Sequence, residues 1–280
     1  MRMIRKLIKP LVPESVVRYI RLSRDAKLLR DNYFGRQLRI MKPLIMATGE
    51  THNFTYDLRD ENLRYLAEIV AVATGKGATE IESFIHEAIT DQTLRTHFEN
   101  RMEKYDGQKS PKNVKCPFGR RLGWYAVARA IKPRVVVETG VERGHGALLL
   151  CAALLRNERE GTPGRYYGTD INPDAGWLLS EPYSSAGKIL VGDSIASLQR
   201  FEEAIDLFIN DSDHSADYEA REYETIGPRL SPNAIVLGDN SHSTDKLALF
   251  SRKNGRRFLM FYEKPKGHWY PGAGLGISFR

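Results

Sequence analysis

Apolar positions along this chain follow a helical period up to about residue 130 and a strand pattern after residue 134. Met1, Ile4, Leu7, Ile8 and Leu11 share one helical face, broken by Pro10 and Pro13. Val16, Val17 and Ile20 start a second stripe, with Arg18, Arg21 and Arg24 on its polar side. Residues 41–58, with Pro43 and Gly49, read as irregular. Leu63, Leu66, Ile69 and Val70 predict a helix over 61–73 that Gly75 stops. Ile81, Phe84, Ile85 and Ala88 predict another, ending at Ile89, with Thr79 and Glu82 spaced as a capping box. A third helix covers 91–105. Residues 106–119, with Gly107, Pro111, Pro117 and Gly119, read as a linker or a loop over a site, and 120–130 as a helix leading into the first strand.

From residue 134 short β-branched or apolar runs alternate with helical segments. Strands are expected at 135–137, 165–169, 188–191, 205–209, 234–238, 257–262 and 276–279. Helices fill the gaps up to the fifth strand. The last two strands are separated only by a Gly/Pro-rich loop, which suits an antiparallel pair. This alternation predicts an α/β fold, a Rossmann-like doubly wound sheet of seven strands. The helical part before it, residues 1–114, is expected to be an extension with a basic arm over 1–40 and helices over 60–105. The sheet domain is then 115–280.

With 280 residues and 41% apolar content the chain can bury a real core. No apolar run approaches the ~18–20 residues of a membrane span. The basic start lacks the long apolar stretch and small-residue cleavage site of a signal peptide. Cys116 and Cys151 form neither a disulfide framework nor a metal-type spacing, as expected in a reducing, cytoplasmic compartment. The net charge of +7 sits unevenly. Residues 1–40 hold eleven Lys and Arg against Glu14, Asp25 and Asp31, so the remainder is close to neutral. That argues against a broad nucleic-acid face on the sheet domain. Residues 1–30 suit peripheral contact with an anionic inner-membrane surface, or packing on their own domain or on a second subunit of a homo-oligomer.

The candidate chemistry lies where strands end. The first strand stops at Glu138-Thr139-Gly140, and Gly144 and Gly146 follow before an apolar helix. A dinucleotide fingerprint places glycine directly after the strand, where pyrophosphate meets a helix N-terminus. A carboxylate there repels pyrophosphate and suits a cationic ligand or one with amine and hydroxyl groups. The second strand ends in Asp170-Ile171, a place where a carboxylate accepts from ribose hydroxyls. The third ends in Gly192-Asp193-Ser194. The fourth ends in Asn210-Asp211-Ser212-Asp213-His214-Ser215, with Tyr218 beyond, and the fifth in Asp239-Asn240-Ser241-His242. Asp170 and Asp193 also fit a plain helix N-cap. Two Asp-rich strand ends side by side are costly unless something neutralises them, and a hard divalent cation would.

These motifs, in this order, resemble the class I S-adenosylmethionine-dependent methyltransferases over roughly residues 115–280. They are most similar to small-molecule O-methyltransferases of the macrocin and mycinamicin sugar type and of the catechol and caffeoyl-CoA type. The resemblance implies a cofactor site lined by Glu138, Thr139, Gly140, Gly144, Asp170, Ile171, Asp193, Ser194 and Asp211. It also implies Mg²⁺ or a similar cation on Asp211, Asp239 and Asn240, with Asp213 a fourth candidate. In a metal-free relative, Asp211 would line the cofactor site and Asp239 would orient a base. His214 is the leading base, since imidazole takes a hydroxyl proton near neutral pH. His145, His242 and His268 are its rivals. His268 lies in the aromatic run 267–271, which could bind an acceptor ring. The expected activity is methyl transfer to a hydroxyl of a small molecule, foremost a sugar or glycosylated natural product. An NAD-type oxidoreductase and a non-catalytic membrane-docking module are the alternatives.

Overall fold

The computed structural model of the protein describes residues 13–48, 51–106 and 114–280. The chain divides into two compact units, residues 1–49 and 50–280. In the first, α1 (Glu14–Leu29) continues through a π-helical turn at Arg30–Phe34 into α2 (Gly35–Thr48). The expected stripe over residues 1–11 lies outside the described residues. The expectation of irregular chain from residue 41 is corrected as far as Thr48, since α2 runs through Pro43. A proline interrupts only its own turn, and Met41, Leu44 and Ile45 keep helical spacing across it.

The second unit starts with β1 (Asp57–Leu58), followed by α3 (Asp60–Thr74), α4 (Ala78–Thr90), α5 (Gln92–Asp106) and, after a 3₁₀ turn at Gly119–Arg121, α6 (Leu122–Ile131). Gly75 ends α3 in the left-handed conformation, φ 68°, as its place after the apolar stripe implied. The Thr79–Glu82 capping box does not form. Helix α4 begins directly after Gly77, which puts Thr79 inside the first turn with no side-chain cap. Every residue of α6 from Leu122 to Ala130 is buried. A helix apolar all round needs cover on every side. Helices α3 and α4 supply it on one side and α7 (His145–Arg159) on another. Leu66, Ile81 and Phe98 therefore share one core with Trp124, Leu148 and Leu275. The compact units part at Gly49/Glu50, and helices α3 to α6 contribute to the core of the sheet unit.

The remaining elements are β2 (Val135–Thr139), β3 (Arg165–Asp170), β4 (Gly187–Val191), α8 (Ser194–Arg200), β5 (Ile205–Asn210), α9 (Ala216–Ile226), β6 (Leu230–Gly238), α10 (Lys246–Lys253), β7 (Arg257–Tyr262), β8 (Pro265–Lys266) and β9 (Gly274–Phe279). Seven strands form one sheet in the order β4-β3-β2-β5-β6-β9-β7. The first five in that order run parallel, and β9 is antiparallel to both its neighbours. The chain leaves β2 toward β3 and β4, then returns to β5 and β6. That reversal makes a topological switch point between β2 and β5 at the carboxyl ends of the strands. Outside the sheet, β8 pairs with β1, Asp57 opposite Lys266. The Asp57 carboxylate also accepts from the Lys115 and Cys116 N–H groups at 2.9 Å each. None of the described helices is long and apolar enough to cross a membrane.

Candidate active site

Backbone hydrogen bonds continue past the strand ends and set the polar residues side by side. Gly140 donates to the Thr169 carbonyl (2.9 Å), Asp211 to Thr139 (2.9 Å), Asp239 to Asn210 (2.8 Å) and Gly192 to Asp170 (2.8 Å). They surround a cavity of about 600 Å³ at the switch point, a size typical of small-molecule sites. Glu138, Gly140, Asp170, Ile171, Asp193, Ser194 and Asp211 line it, as do His214, Asp239 and Asn240. Thr139 and Gly144 are not among the lining residues. Thr139 is fully buried, and its hydroxyl donates to Glu222 at 3.2 Å. Gly144 caps α7 with φ 93°.

The turn after β2 is built for close approach. Gly140 has φ 80°, and a Cβ there would lie 2.1 Å from the Asp211 carbonyl oxygen. Only glycine holds that position without strain. The Glu138 side chain is buried against Gly146 and accepts from the Tyr166 hydroxyl at 2.6 Å. Burial pushes its carboxyl up to about 8, with Tyr166 opposing. A cation in the cavity would favour its ionised form.

Asp170 holds the turn as well as facing the cavity. Its Oδ2 accepts from the Glu142 N–H (2.7 Å) and its Oδ1 from the Asn172 N–H (2.8 Å). Asp193 is the N-cap of α8, accepting from the Ala196 N–H at 2.8 Å, and also accepts from the Tyr218 hydroxyl at 2.8 Å. Those two donors hold its carboxyl below the usual range. The capping and cavity-lining roles therefore coexist. Two buried polar atoms in the cavity wall, His145 Nε2 and Thr169 Oγ1, have no hydrogen-bond partner among the described residues. A polar ligand would satisfy them.

At the ends of β5 and β6 the negative charge is met by arginine. Arg120, buried in the 3₁₀ turn before α6, places a bidentate fork on both oxygens of Asp239. Its remaining Nη1 donates to Tyr56 (2.8 Å) and to Glu263 (3.1 Å). Burial opposes the charge of Asp239, but the fork outweighs burial and holds the carboxyl well below the usual range. Arg121 lies 3.4 Å from Asp211 Oδ2. Burial, then the neighbouring Asp239 charge, holds the Asp211 carboxyl well above the usual range. Asp211, His214 and Asp239 do offer ligand atoms within 4.8 Å of one another. The set nonetheless fits a divalent cation poorly. A ligand carboxylate must be free to coordinate, yet Arg120 occupies both oxygens of Asp239. Asn240, the third expected ligand, turns its amide toward His214 instead, and Asp213 Oδ1 accepts from the Ser215 N–H. Arg120 thus meets the charge of Asp239, and Arg121 part of that of Asp211.

The four histidines separate by their surroundings. His214 lines the cavity with Asn240 Nδ2 donating to its Nε2 at 3.0 Å and Asp211 Oδ1 3.8 Å away. His145 also lines it, packed 5.6 Å from Phe54 and 5.5 Å from Phe98; burial, then Arg121, keeps it neutral. The other two accept from backbone through Nδ1, His242 from Gly274 and His268 from Tyr270, each at 3.0 Å, and neither lines the cavity. The aromatic run 267–271 does not line it either. His268 and Tyr270 pack at a tilt against Tyr56, ring centroids 5.3 and 5.7 Å away, while Asn53 and Phe54, from the segment before β1, line the cavity. Sequence reasoning passed over Asn53, Phe54, Arg120 and Arg121. The adjacent Arg120-Arg121 pair just ahead of the first parallel strand was the one visible signal.

Residues 137–241 match the family model "Methyltransf_24: Methyltransferase domain". No curated protein matches the chain by sequence. Among solved structures, a methyltransferase from Geobacter sulfurreducens is 16% identical, with 68% of this chain and 90% of that one covered at a TM-score of 0.48. The O-methyltransferase TomG from Streptomyces achromogenes, involved in tomaymycin synthesis and solved with S-adenosylmethionine, is 13% identical, covering 68% and 89% at 0.48. An O-methyltransferase from Bacillus cereus, solved with S-adenosylhomocysteine, is 13% identical, covering 68% and 92% at 0.47. The matched segment runs from within β2 to three residues past β6 and carries Glu138, Asp170, Asp193, Asp211 and Asp239. Residues 137–241, the segment that carries these strand ends, are thus similar to a methyltransferase domain.

Proposed function

We propose that the protein transfers a methyl group from S-adenosylmethionine to a hydroxyl of a small molecule, foremost a sugar or a glycosylated natural product. The observation that carries this reading is the meeting, in one cavity, of three strand-end carboxylates suited to a cationic nucleoside with an imidazole set between a carboxyl and an amide. The donor substrate supplies an electrophilic methyl on a sulfonium. Glu138 faces its positive end, Asp170 the ribose hydroxyls and Asp193 the adenine amino group. A hydroxyl oxygen is a weak nucleophile until its proton leaves. His214 takes that proton at Nε2, in exchange for the Asn240 amide N–H it accepts now, and Asp211 faces the resulting imidazolium. Asn53 and Phe54 give the acceptor one polar and one aromatic contact, a combination that suits a sugar ring. Most of the remaining rate comes from alignment of oxygen, methyl and leaving sulfur in a water-poor cavity.

Calorimetric titration with S-adenosylhomocysteine and with NAD tests the reading directly. Binding of the first and not the second is expected, since Glu138 opposes a pyrophosphate. Asp170→Ala should weaken S-adenosylhomocysteine binding by about 1–3 kcal/mol. NAD binding in its place, or unchanged affinity in that variant, would overturn the assignment.

The arginine-neutralised carboxylates bear on the metal. With Asp239 held by Arg120, the proposed mechanism takes no step through a cation. Turnover is expected to persist after exhaustive treatment with EDTA. Loss of turnover that Mg²⁺ restores would return Asp211 and Asp239 to the role of ligands.

A further inference from the structure

Glu222 lies outside the cavity, on α9, and is fully buried. Four donors from three strand ends converge on its carboxylate. The Thr139 hydroxyl (3.2 Å), the Ser212 hydroxyl (2.8 Å) and the Asn210 amide reach Oε2, and the Ser194 hydroxyl reaches Oε1. Each donor adjoins a residue already assigned to the cavity. Thr139 sits between Glu138 and Gly140, Ser194 follows Asp193, and Asn210 and Ser212 flank Asp211. One turn earlier on the same helix face, Tyr218 donates to Asp193 and lies 2.8 Å from the Ser194 hydroxyl. Among the described residues Glu222 forms no ion pair. A buried carboxyl without a cation is costly, and an apolar side chain would fill the space without that cost. A four-way acceptor is what an apolar residue cannot be.

We infer that Glu222 is a positioning residue: by accepting from Thr139, Ser194, Asn210 and Ser212 it fixes the loops after β2, β4 and β5, and so sets the spacing between the methyl-donor contacts and Asp211. The inference rests on the proposed methyl-transfer reading. The carboxylate is needed because both of its oxygens accept, Oε2 from Thr139, Asn210 and Ser212 and Oε1 from Ser194. Glutamine offers a single acceptor oxygen and turns an NH₂ group toward the rest. Glu222→Gln therefore keeps the volume and loses part of the clamp.

The test compares S-adenosylhomocysteine with adenosine by calorimetry on the full-length protein. The wild-type protein comes first, since absence of S-adenosylhomocysteine binding there would defeat the functional reading itself. Given wild-type binding, Glu222→Gln is expected to weaken both ligands, on the order of tenfold, because it releases the loops after β2 and after β4 together. Thr139→Val removes one donor at the end of β2 and leaves α9 intact, so it covers the case in which Glu222→Gln does not fold. It is expected to weaken S-adenosylhomocysteine several-fold while adenosine stays within about twofold, as the adenosine contacts lie after β3 and β4. General loosening of the fold would weaken both ligands alike in both variants and would overturn the inference. Wild-type affinities in the folded variants would do the same.

Discussion

Replacing Arg120 by Met is expected to destabilise the protein by about 3–5 kcal/mol near neutral pH, measured by urea or thermal unfolding. The side chains of Asp239 and Glu263 are both wholly inaccessible to solvent and share this one guanidinium. Removing it leaves two buried carboxylates without their cation, and Tyr56 loses a donor to its hydroxyl oxygen. Most single substitutions cost 0.5–3 kcal/mol, so this one should stand out. The pH dependence gives a sharper check. In the wild-type protein the Asp239 carboxyl is held below its ordinary value near 3.8. Its contribution is thus fully present above that value and lost as pH falls through the lower, folded one. In Arg120→Met the sign reverses. Buried and without its fork, the Asp239 carboxyl titrates above its ordinary value, so the variant recovers part of its deficit as acid protonates it. A deficit that is the same at pH 4.5 and pH 8 would mean that Arg120 contributes packing and not charge.

His214→Ala should lower the rate of methyl transfer by roughly 10²–10⁴-fold at saturating donor, the usual share of a positioned base. S-adenosylhomocysteine affinity should remain within a factor of about two, since the contacts assigned to the donor lie after β2, β3 and β4. The combination matters. A rate loss accompanied by loss of donor binding would mean that the imidazole shapes the cavity. A wild-type rate would transfer the base role to His145, whose unpartnered Nε2 also lines the cavity.

Strands are short-range objects, and most of their limits were legible in the chain, although β6 starts at Leu230, four residues before the expected 234, and β1 and β8 left no pattern. The strand expected at 257–262 is β7 to the residue, and that at 205–209 gains only Asn210. Strand-end carboxylates were legible for the same reason, because a parallel sheet places every carboxyl end on one edge. What escaped detection depends on distant pieces meeting. Arg120 and Asp239 are 119 residues apart, and nothing in either neighbourhood records their ion pair. Without it, two adjacent aspartate clusters look like a demand for a metal. Phe54 lines the cavity just ahead of β1, whose two-residue ladder with β8 is too short to leave a period. Glu222 belongs to an ordinary amphipathic helix pattern, and its burial follows from the hydroxyl and amide donors aimed at it. The capping box failed for a local reason: the spacing of Thr79 and Glu82 was right, but Gly77 starts the helix one residue before Ala78 and the pair falls inside it.

The position of β9 bears on how the molecule is assembled. It follows β7 in the chain yet stands between β6 and β7 in the sheet. As the polypeptide emerges, β7 is made with no sheet neighbour available, and Leu259 and Phe261 wait uncovered until residues 274–279 arrive. The register Gly238 opposite Gly276 then closes beside Asp239. The pairing beside Asp239 therefore waits for a strand made later than both of its neighbours in the sheet. Long-range pairing of this kind is slow and leaves apolar strands exposed meanwhile. Folding yield, more than folded-state stability, is where substitutions in β7 and β9 should first be felt.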